Sequence, residues 1–141
     1  MEKIFKGESM DKFRDLVKIF FTIFGSLIGF FLGDLDIFIY SLTAFVICDY
    51  ISGIIRAGFE RKLSSKIGFK GILKKIMIFI IVGIANICDK SLIKNEPMIR
   101  SSIIFFYIAN EGLSILENAL AMDLPIPKKL KILLEQFKEE K

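Results

Sequence analysis

Four apolar runs, at about residues 16–33, 35–55, 76–93 and 98–122, fill most of a 141-residue chain. Each approaches the ~20 residues an α-helix needs to cross the hydrocarbon core of a bilayer. Lipid offers the backbone no hydrogen-bond partner, so spanning segments are helices or closed barrels, and runs of this length suit helices. The sequence therefore predicts an all-α membrane protein with about four transmembrane helices. In a three-span variant, residues 16–33 lie on the surface or leave the membrane. Composition points the same way: 53% of residues are hydrophobic, 15 are Phe and mean hydropathy is +0.55. That is too apolar for an ordinary soluble domain of this size.

The organisation follows from what separates the runs. Residues 1–15 read as a charged cytoplasmic leader, 16–122 as a transmembrane helical domain and 123–141 as a cytoplasmic tail. A turn as short as Gly33-Asp34 makes the first two helices an antiparallel hairpin. Residues 56–75 read as a basic loop, with Ser64-Ser65 as the N-cap of the next helix. The third run is the weakest, because Asn86, Asp89 and Lys90 interrupt its far end, and Pro97 closes a short connection to the fourth. Pro125 and Pro127 end the fourth helix, since proline pushes the preceding residue out of helical geometry. Beyond them Leu130, Leu133, Leu134 and Phe137 recur at helical spacing among charges. This predicts a short amphipathic helix on the membrane surface or against a partner.

Formal net charge is +4, but Lys and Arg gather between the apolar runs, which is a topology signal and not a nucleic-acid-binding one. The N-terminal flank, residues 56–75 and the tail carry 5, 7 and 5 basic residues; the 34–36 turn has none and 89–100 has three. Positive segments stay inside, so both termini and the middle loop are expected on the cytoplasmic side of the inner membrane. The first run lacks a small-x-small cleavage site and is followed at once by a second, so insertion without processing is expected.

Several chemistries are excluded. The chain has no His, which removes histidine acid–base chemistry and histidine metal sites. It holds no glycine-rich phosphate loop, G-x-S-x-G or metal-ligand cluster. No catalytic residue, cofactor or metal is expected, and the chain reads as non-enzymatic. Cys48 and Cys88 both fall in apolar stretches and read as packed thiols, not as a disulfide or redox pair.

The candidate functional residues are the polar groups that a membrane span should not carry. Asp at a helix centre costs ~2.5–3.5 kcal/mol on insertion scales, so Asp49 and Glu111 must face other helices or water. At ~100° per residue, Arg100, Tyr107, Glu111, Ser114 and Asn118 share one narrow face of the fourth run, with Asn110 and Glu117 at its edge. Such a stripe lines a bundle interior, an oligomer seam or a water-filled lumen. Asp49, Ser52, Gly53 and Arg56 form a shorter polar face on the second run, where Arg56 is placed to offset part of the Asp49 charge. Gly25, Gly29 and Gly33 repeat every four residues on the first run, a face on which two helix backbones can approach closely. Finally, residues 6–9, Lys-Gly-Glu-Ser, can be encoded by a purine-rich ribosome-binding sequence, which makes Met10 a candidate second translation start.

Three segments carry a family resemblance: Asp49-Tyr-Ile-Ser-Gly53; Arg61-Lys-Leu-Ser-Ser65 with Gly68-Phe-Lys-Gly71-Ile-Leu-Lys-Lys75; and Asn110-Glu-Gly-Leu-Ser-Ile-Leu-Glu-Asn118 followed by Leu124-Pro-Ile-Pro-Lys-Lys-Leu130. From Asp49 onward, about two thirds of its length, the chain resembles the toxin-secretion and phage-lysis holins of Gram-positive hosts. The resemblance implies a bacterial membrane protein that oligomerises and opens a lesion through which an endolysin, or a large toxin, escapes. It also implies that residues 1–33 are an element additional to the family pattern. Its partners would be membrane lipid, further copies of itself and an antiholin form. Two alternatives stand beside it: a small ion-coupled transporter or channel using Asp49 and Glu111, and an antiholin or accessory membrane protein.

Overall fold

In the computed structural model, which describes residues 2–94 and 96–139, the described residues form helices and short connections, with no strand. They are α1 (Glu2–Leu32), α2 (Ile37–Phe59), α3 (Ser65–Cys88), α4 (Met98–Ala121) and α5 (Lys128–Glu139); a π-helical turn, Asp89–Ile93, prolongs α3. Four stretches are long and apolar enough to cross a membrane: Met10–Leu32, Ile37–Phe59, Ser65–Ile93 and Met98–Ala121. By length and composition, then, the helices favour four spans over three. The 23 residues of α2 extend ~35 Å at 1.5 Å per residue, enough for the bilayer core.

Local chemistry sets the helix ends. Gly33 closes α1 at φ +85, where a side chain would be strained and a Cβ would meet the Asn86 amide at 2.6 Å. Asp36 caps α2 by accepting from the Ile39 N–H at 3.0 Å. Ser64 occupies the N-cap position of α3 in an extended conformation, as its sequence suggests, yet its side chain makes no capping hydrogen bond. After α4 the chain passes through Pro125 and Pro127 before α5 begins at Lys128.

Two sequence expectations about connections are corrected. Residues 56–75 are not a loop: α2 runs to Phe59 and α3 starts at Ser65. Lys66, Lys70 and Lys74 recur every fourth residue, so one helix face carries the charge that resembled a loop. Nor is the third span the weakest. Its helix begins well before residue 76, it has the most apolar window of the four, and Asn86 and Asp89 point into protein.

The core lies among α2, α3 and α4. Ile39, Leu42, Val46, Ile78, Val82 and Ile104 form it, and Leu42, Val82 and Ile104 are fully enclosed. The main packing is α2 on α4, with α3 against α4. The expected α1–α2 hairpin is absent as a packed unit, because α1 packs on α3. Gly83 explains this choice: a Cβ there would overlap the Phe31 ring, so only glycine admits it. Upstream of Ile28, α1 stands almost entirely clear of the bundle, with Phe20, Phe21, Phe24 and Leu27 exposed. A Cβ at Gly25 or Gly29 would meet nothing within 4 Å, so of the expected glycine face only Gly33 is in close contact within the chain.

Outward-facing residues are large and apolar, including Ile51, Ile55, Ile76, Ile84, Phe105 and Phe106. That is the surface a bilayer covers. Cys48 is on it, contrary to the packed-thiol expectation, while Cys88 is half-buried and both are free. Helix α5 forms as its spacing predicts. The side chains of Leu133, Leu134 and Phe137 lie outside the described residues.

Gly83→Leu should displace Phe31 and lower the thermal midpoint in detergent by several degrees, the scale of ~1–3 kcal/mol of overpacking. Gly25→Leu, in open space, should leave the midpoint unchanged. An unchanged midpoint for Gly83→Leu would refute this account of how α1 is held.

Candidate functional site

The two polar faces expected on the second and fourth runs meet. Asp49 of α2 and Glu111 of α4 both bind Lys75 of α3, whose Nζ lies 2.5 Å from Asp49 Oδ2 and also donates to Glu111 Oε2. The side chains of Lys75, Asp49 and Glu111 are only 18%, 10% and 7% exposed. One ammonium ties three helices together at a depth where unpaired charges are costly. When all three are ionised the cluster carries one negative charge more than positive.

Asn118 extends the cluster by one layer. Its Nδ2 donates to Ser52 Oγ at 2.9 Å and to Asp49 Oδ1 at 3.4 Å, while Ser52 Oγ donates to the Asp49 carbonyl. Arg56 reaches Asn118 Oδ1 at 3.5 Å but pairs mainly with Glu60, at 2.7 Å. Arg56 was therefore the wrong counter-charge for Asp49; Lys75 fills that role. The Arg56 and Lys62 hydrogen bonds hold the Glu60 carboxyl below its ordinary range. Every buried side-chain nitrogen and oxygen among the described residues has a partner, so the cluster is closed on itself. Among these residues no group of His, Cys, Asp and Glu is arranged to hold a metal.

Arg100 does something else. It lies eleven positions before Glu111, ~16 Å along the helix, and serves the opposite end of the bundle. Its Nε donates to the Leu32 carbonyl and its Nη2 to the Asp34 carbonyl, each at 2.7 Å, while its Nη1 meets Asp36 Oδ2 at 2.8 Å. Its side chain is 3% exposed. Nearby, Asn86 donates to the Phe30 and Phe31 carbonyls at 3.2 and 2.9 Å, capping α1 from α3. Asp89 accepts from the Ile99 and Arg100 N–H groups at 2.9 and 2.8 Å, capping α4. Burial raises the Asp36 pKa, but the hydrogen bond from Arg100, the Ile39 N–H and the Arg100 charge outweigh it and hold the carboxyl below its ordinary value.

The expected polar stripe of α4 thus divides. Glu111 and Asn118 join the central cluster, with Ser114 on the wall of the adjoining cavity. Tyr107 is half-buried against the apolar core, Glu117 is half-buried at the edge and Asn110 is exposed. Lys75, Asp36, Asn86 and Asp89 were not singled out as site residues. One sequence signal did point to Lys75: it is the last cation before the third apolar run, and two buried carboxylates need a positive charge.

The profile of a bacteriophage holin family matches residues 26–139. An uncharacterized protein of Listeria innocua is 43% identical over 122 residues, which is 86% of each chain. An uncharacterized 14.9 kDa protein of Clostridium perfringens is 37% identical over 132 residues, 94% of this chain and 100% of that one. A probable holin of Bacillus phage phi105 is 37% identical over 81 residues, 57% of this chain and 59% of that one. No solved structure matches. These similarities extend the resemblance well upstream of Asp49. The alignment to the Clostridium protein takes in so much of the chain that it reaches into α1, so α1 is not an element peculiar to this protein.

Lys75→Met leaves two carboxylates facing each other in the bundle and should cost ~3–5 kcal/mol of stability, read by thermal melting in detergent. The triple variant Asp49→Asn, Lys75→Met, Glu111→Gln should recover most of the loss; no recovery would mean that Lys75 acts by packing and not by charge. A second outcome concerns acid. A carboxyl whose folded pKa is lowered adds stability above its unfolded value, ~3.9, and loses it as pH falls through the folded value. The stability margin of wild type over Asp36→Asn should therefore be equal at pH 7 and pH 5 and shrink only in more acidic buffer.

Proposed function

The chain belongs to the bacteriophage holin family, and from that premise we propose that it oligomerises in the bacterial cytoplasmic membrane and permeabilises it. The cargo is an endolysin that lyses the host, or in a toxin-secreting setting a large toxin. Likeness to the probable holin of phage phi105 supports this reading.

The observation that carries it is the inward-turned polar cluster of Asp49, Lys75, Glu111 and Asn118. A membrane protein with no polar task would fill these positions with apolar side chains. Here they satisfy one another, while the outer surface is apolar. In one chain the arrangement is closed. When α2 and α4 separate, the same groups need water, and several copies arranged with those faces inward would line an aqueous lesion. The closed chain is a stored state, and with all three groups ionised the second carboxylate makes it metastable.

Orientation follows from where the charge lies. Arg56, Arg61, Lys62 and Lys66 gather at the end of the bundle where α2 stops and α3 starts. By the positive-inside rule this end faces the cytoplasm, as do both termini. The exposed face of α1, with Gly25 and Gly29 open, is the surface offered to another copy. If Met10 is a second start, the longer product begun at Met1 is the candidate antiholin-type form, and Glu2, Lys3, Lys6 and Glu8 give its extra residues no net charge with which to brake insertion.

Co-expression with a cytoplasmic endolysin should produce a delay, then abrupt loss of membrane potential and lysis. Steady growth with selective ion flux would instead mark an ion-coupled transporter, and no membrane effect an accessory protein. Glu111→Gln leaves Lys75 balanced by Asp49 alone, stabilises the closed state and should postpone lysis. Lysis that comes earlier or on time would remove charge imbalance from the trigger.

A further inference from the structure

We propose that the groove between α2 and α3 at the basic end of the bundle binds an anionic phospholipid, its phosphate at the start of α3 and an acyl chain along Tyr50. Two cavities, of about 250 and 410 Å³, flank the Tyr50 ring and share Ile54, Leu63, Ser64 and Gly68. The groove exists because Gly68 and Gly71 have no side chains. A Cβ at either would already be in contact with Tyr50, at 3.5 and 3.6 Å. Ile54, Leu63 and Ile67 give the groove an exposed apolar wall, while Asp49, Lys75, Ser114 and Asn118 close its deep end.

The polar groups at its mouth suit a phosphate. Ser64 stands at the N-cap of α3 with its carbonyl accepting from the Gly68 N–H but its side chain uncommitted, so Ser64 supplies no side-chain acceptor to the first N–H groups of this 24-residue helix. Among the described residues, the hydroxyls of Ser64, Ser65 and Tyr50 make no hydrogen bond to protein, although all three line the groove. Of the cations at this end Lys62 lines the groove, where it shares Glu60 with Arg56, and Arg61, Lys66 and Lys70, which neighbour the lining residues in sequence, have no ion-pair partner among the described residues. At the deep end the Lys75 ammonium is already taken by Asp49 and Glu111, so it is not free for a headgroup. The site therefore asks for negative charge at its mouth and hydrocarbon along its wall of Ile54, Leu63, Ile67, Phe69 and Ile72.

Generic lipid contact does not account for this combination. The exposed pocket on α1, lined by Leu16, Val17, Ile19, Phe20, Phe21 and Ile23, is wholly apolar and has neither cation nor hydroxyl. Acyl chains would cover it without regard to headgroup. At the α2–α3 groove a headgroup preference is expected, and each lysine near the surface should contribute about fivefold. The inference concerns lipid recognition by the folded chain and holds whether or not the chain makes lesions.

The test is native mass spectrometry of the full chain released from mild detergent, with phosphatidylglycerol or phosphatidylcholine of identical acyl chains. One phosphatidylglycerol should be retained in several-fold preference. Lys62→Gln and Lys66→Gln should each reduce that preference by about fivefold. Gly68→Leu should abolish retention of both lipids, with an unchanged helical circular dichroism spectrum as its folding control. Millimolar inorganic phosphate should not displace the bound lipid. Equal retention of the two lipids, or full preference in both lysine variants, would overturn the proposal. Displacement by inorganic phosphate would also overturn it, by showing an ion site instead of a lipid site. Should Gly68→Leu fail to fold, the two exposed-lysine variants decide alone.

Discussion

Lys75 is the point at which three helices become one structure. Asp49 on α2 and Glu111 on α4 would each be costly alone in lipid, and would repel one another if brought together without it. With the ammonium between them, the packing of α2 on α4 and of α3 on α4 becomes compatible with a bilayer. Asn118 donates to the other Asp49 carboxylate oxygen and to the Ser52 hydroxyl, which in turn donates to the Asp49 backbone carbonyl. The cluster is therefore more than a tolerated defect: it sets the register of the three helices, since a slip of one residue would break several bonds at once.

A second tie stands at the other end and works differently. Arg100 gathers the α1–α2 connection, Asn86 caps α1 and Asp89 caps α4. These contacts hold backbone ends, where carbonyl and N–H groups lack helical partners. They leave most of α1 without protein contact. The molecule is thus a compact trio of helices with a fourth attached at one end by Phe31, Gly33 and their partners. Such a helix can change neighbours without disturbing the trio.

Much of this was legible in the sequence. The apolar runs gave the helices, because run length and bilayer thickness leave few choices. The polar faces of the second and fourth runs were readable from helical periodicity, and the cost of exposing either to lipid required protein or water beside them, but not that they meet one another. The choice of partner was not readable. Arg56 was nearer to Asp49 in sequence than Lys75, but three-dimensional packing gave Arg56 to Glu60. The α4 stripe looked continuous, although Arg100 belongs to a different cluster, because periodicity reports direction around a helix and not depth along it. Residues 56–75 read as a loop because charge density masked helical spacing.

The polar cluster can act as glue in the closed chain and as a water-lined wall in an open assembly, and the account rests on that change. The most direct measurement is thiol accessibility at Tyr107→Cys, in a background with Cys48→Ser and Cys88→Ser, before and after membrane potential is lost. Tyr107 sits half-buried against the core on the same α4 face as Glu111. Its neighbour Phe106 is exposed on the outer surface, so Phe106→Cys is the lipid-facing control. The account predicts that a membrane-impermeant thiol reagent leaves Tyr107→Cys unmodified until the lesion opens and labels it rapidly afterwards, with Phe106→Cys unlabelled throughout. Labelling of Tyr107→Cys before the lesion, or none after it, would contradict the claim that this face passes from protein to water.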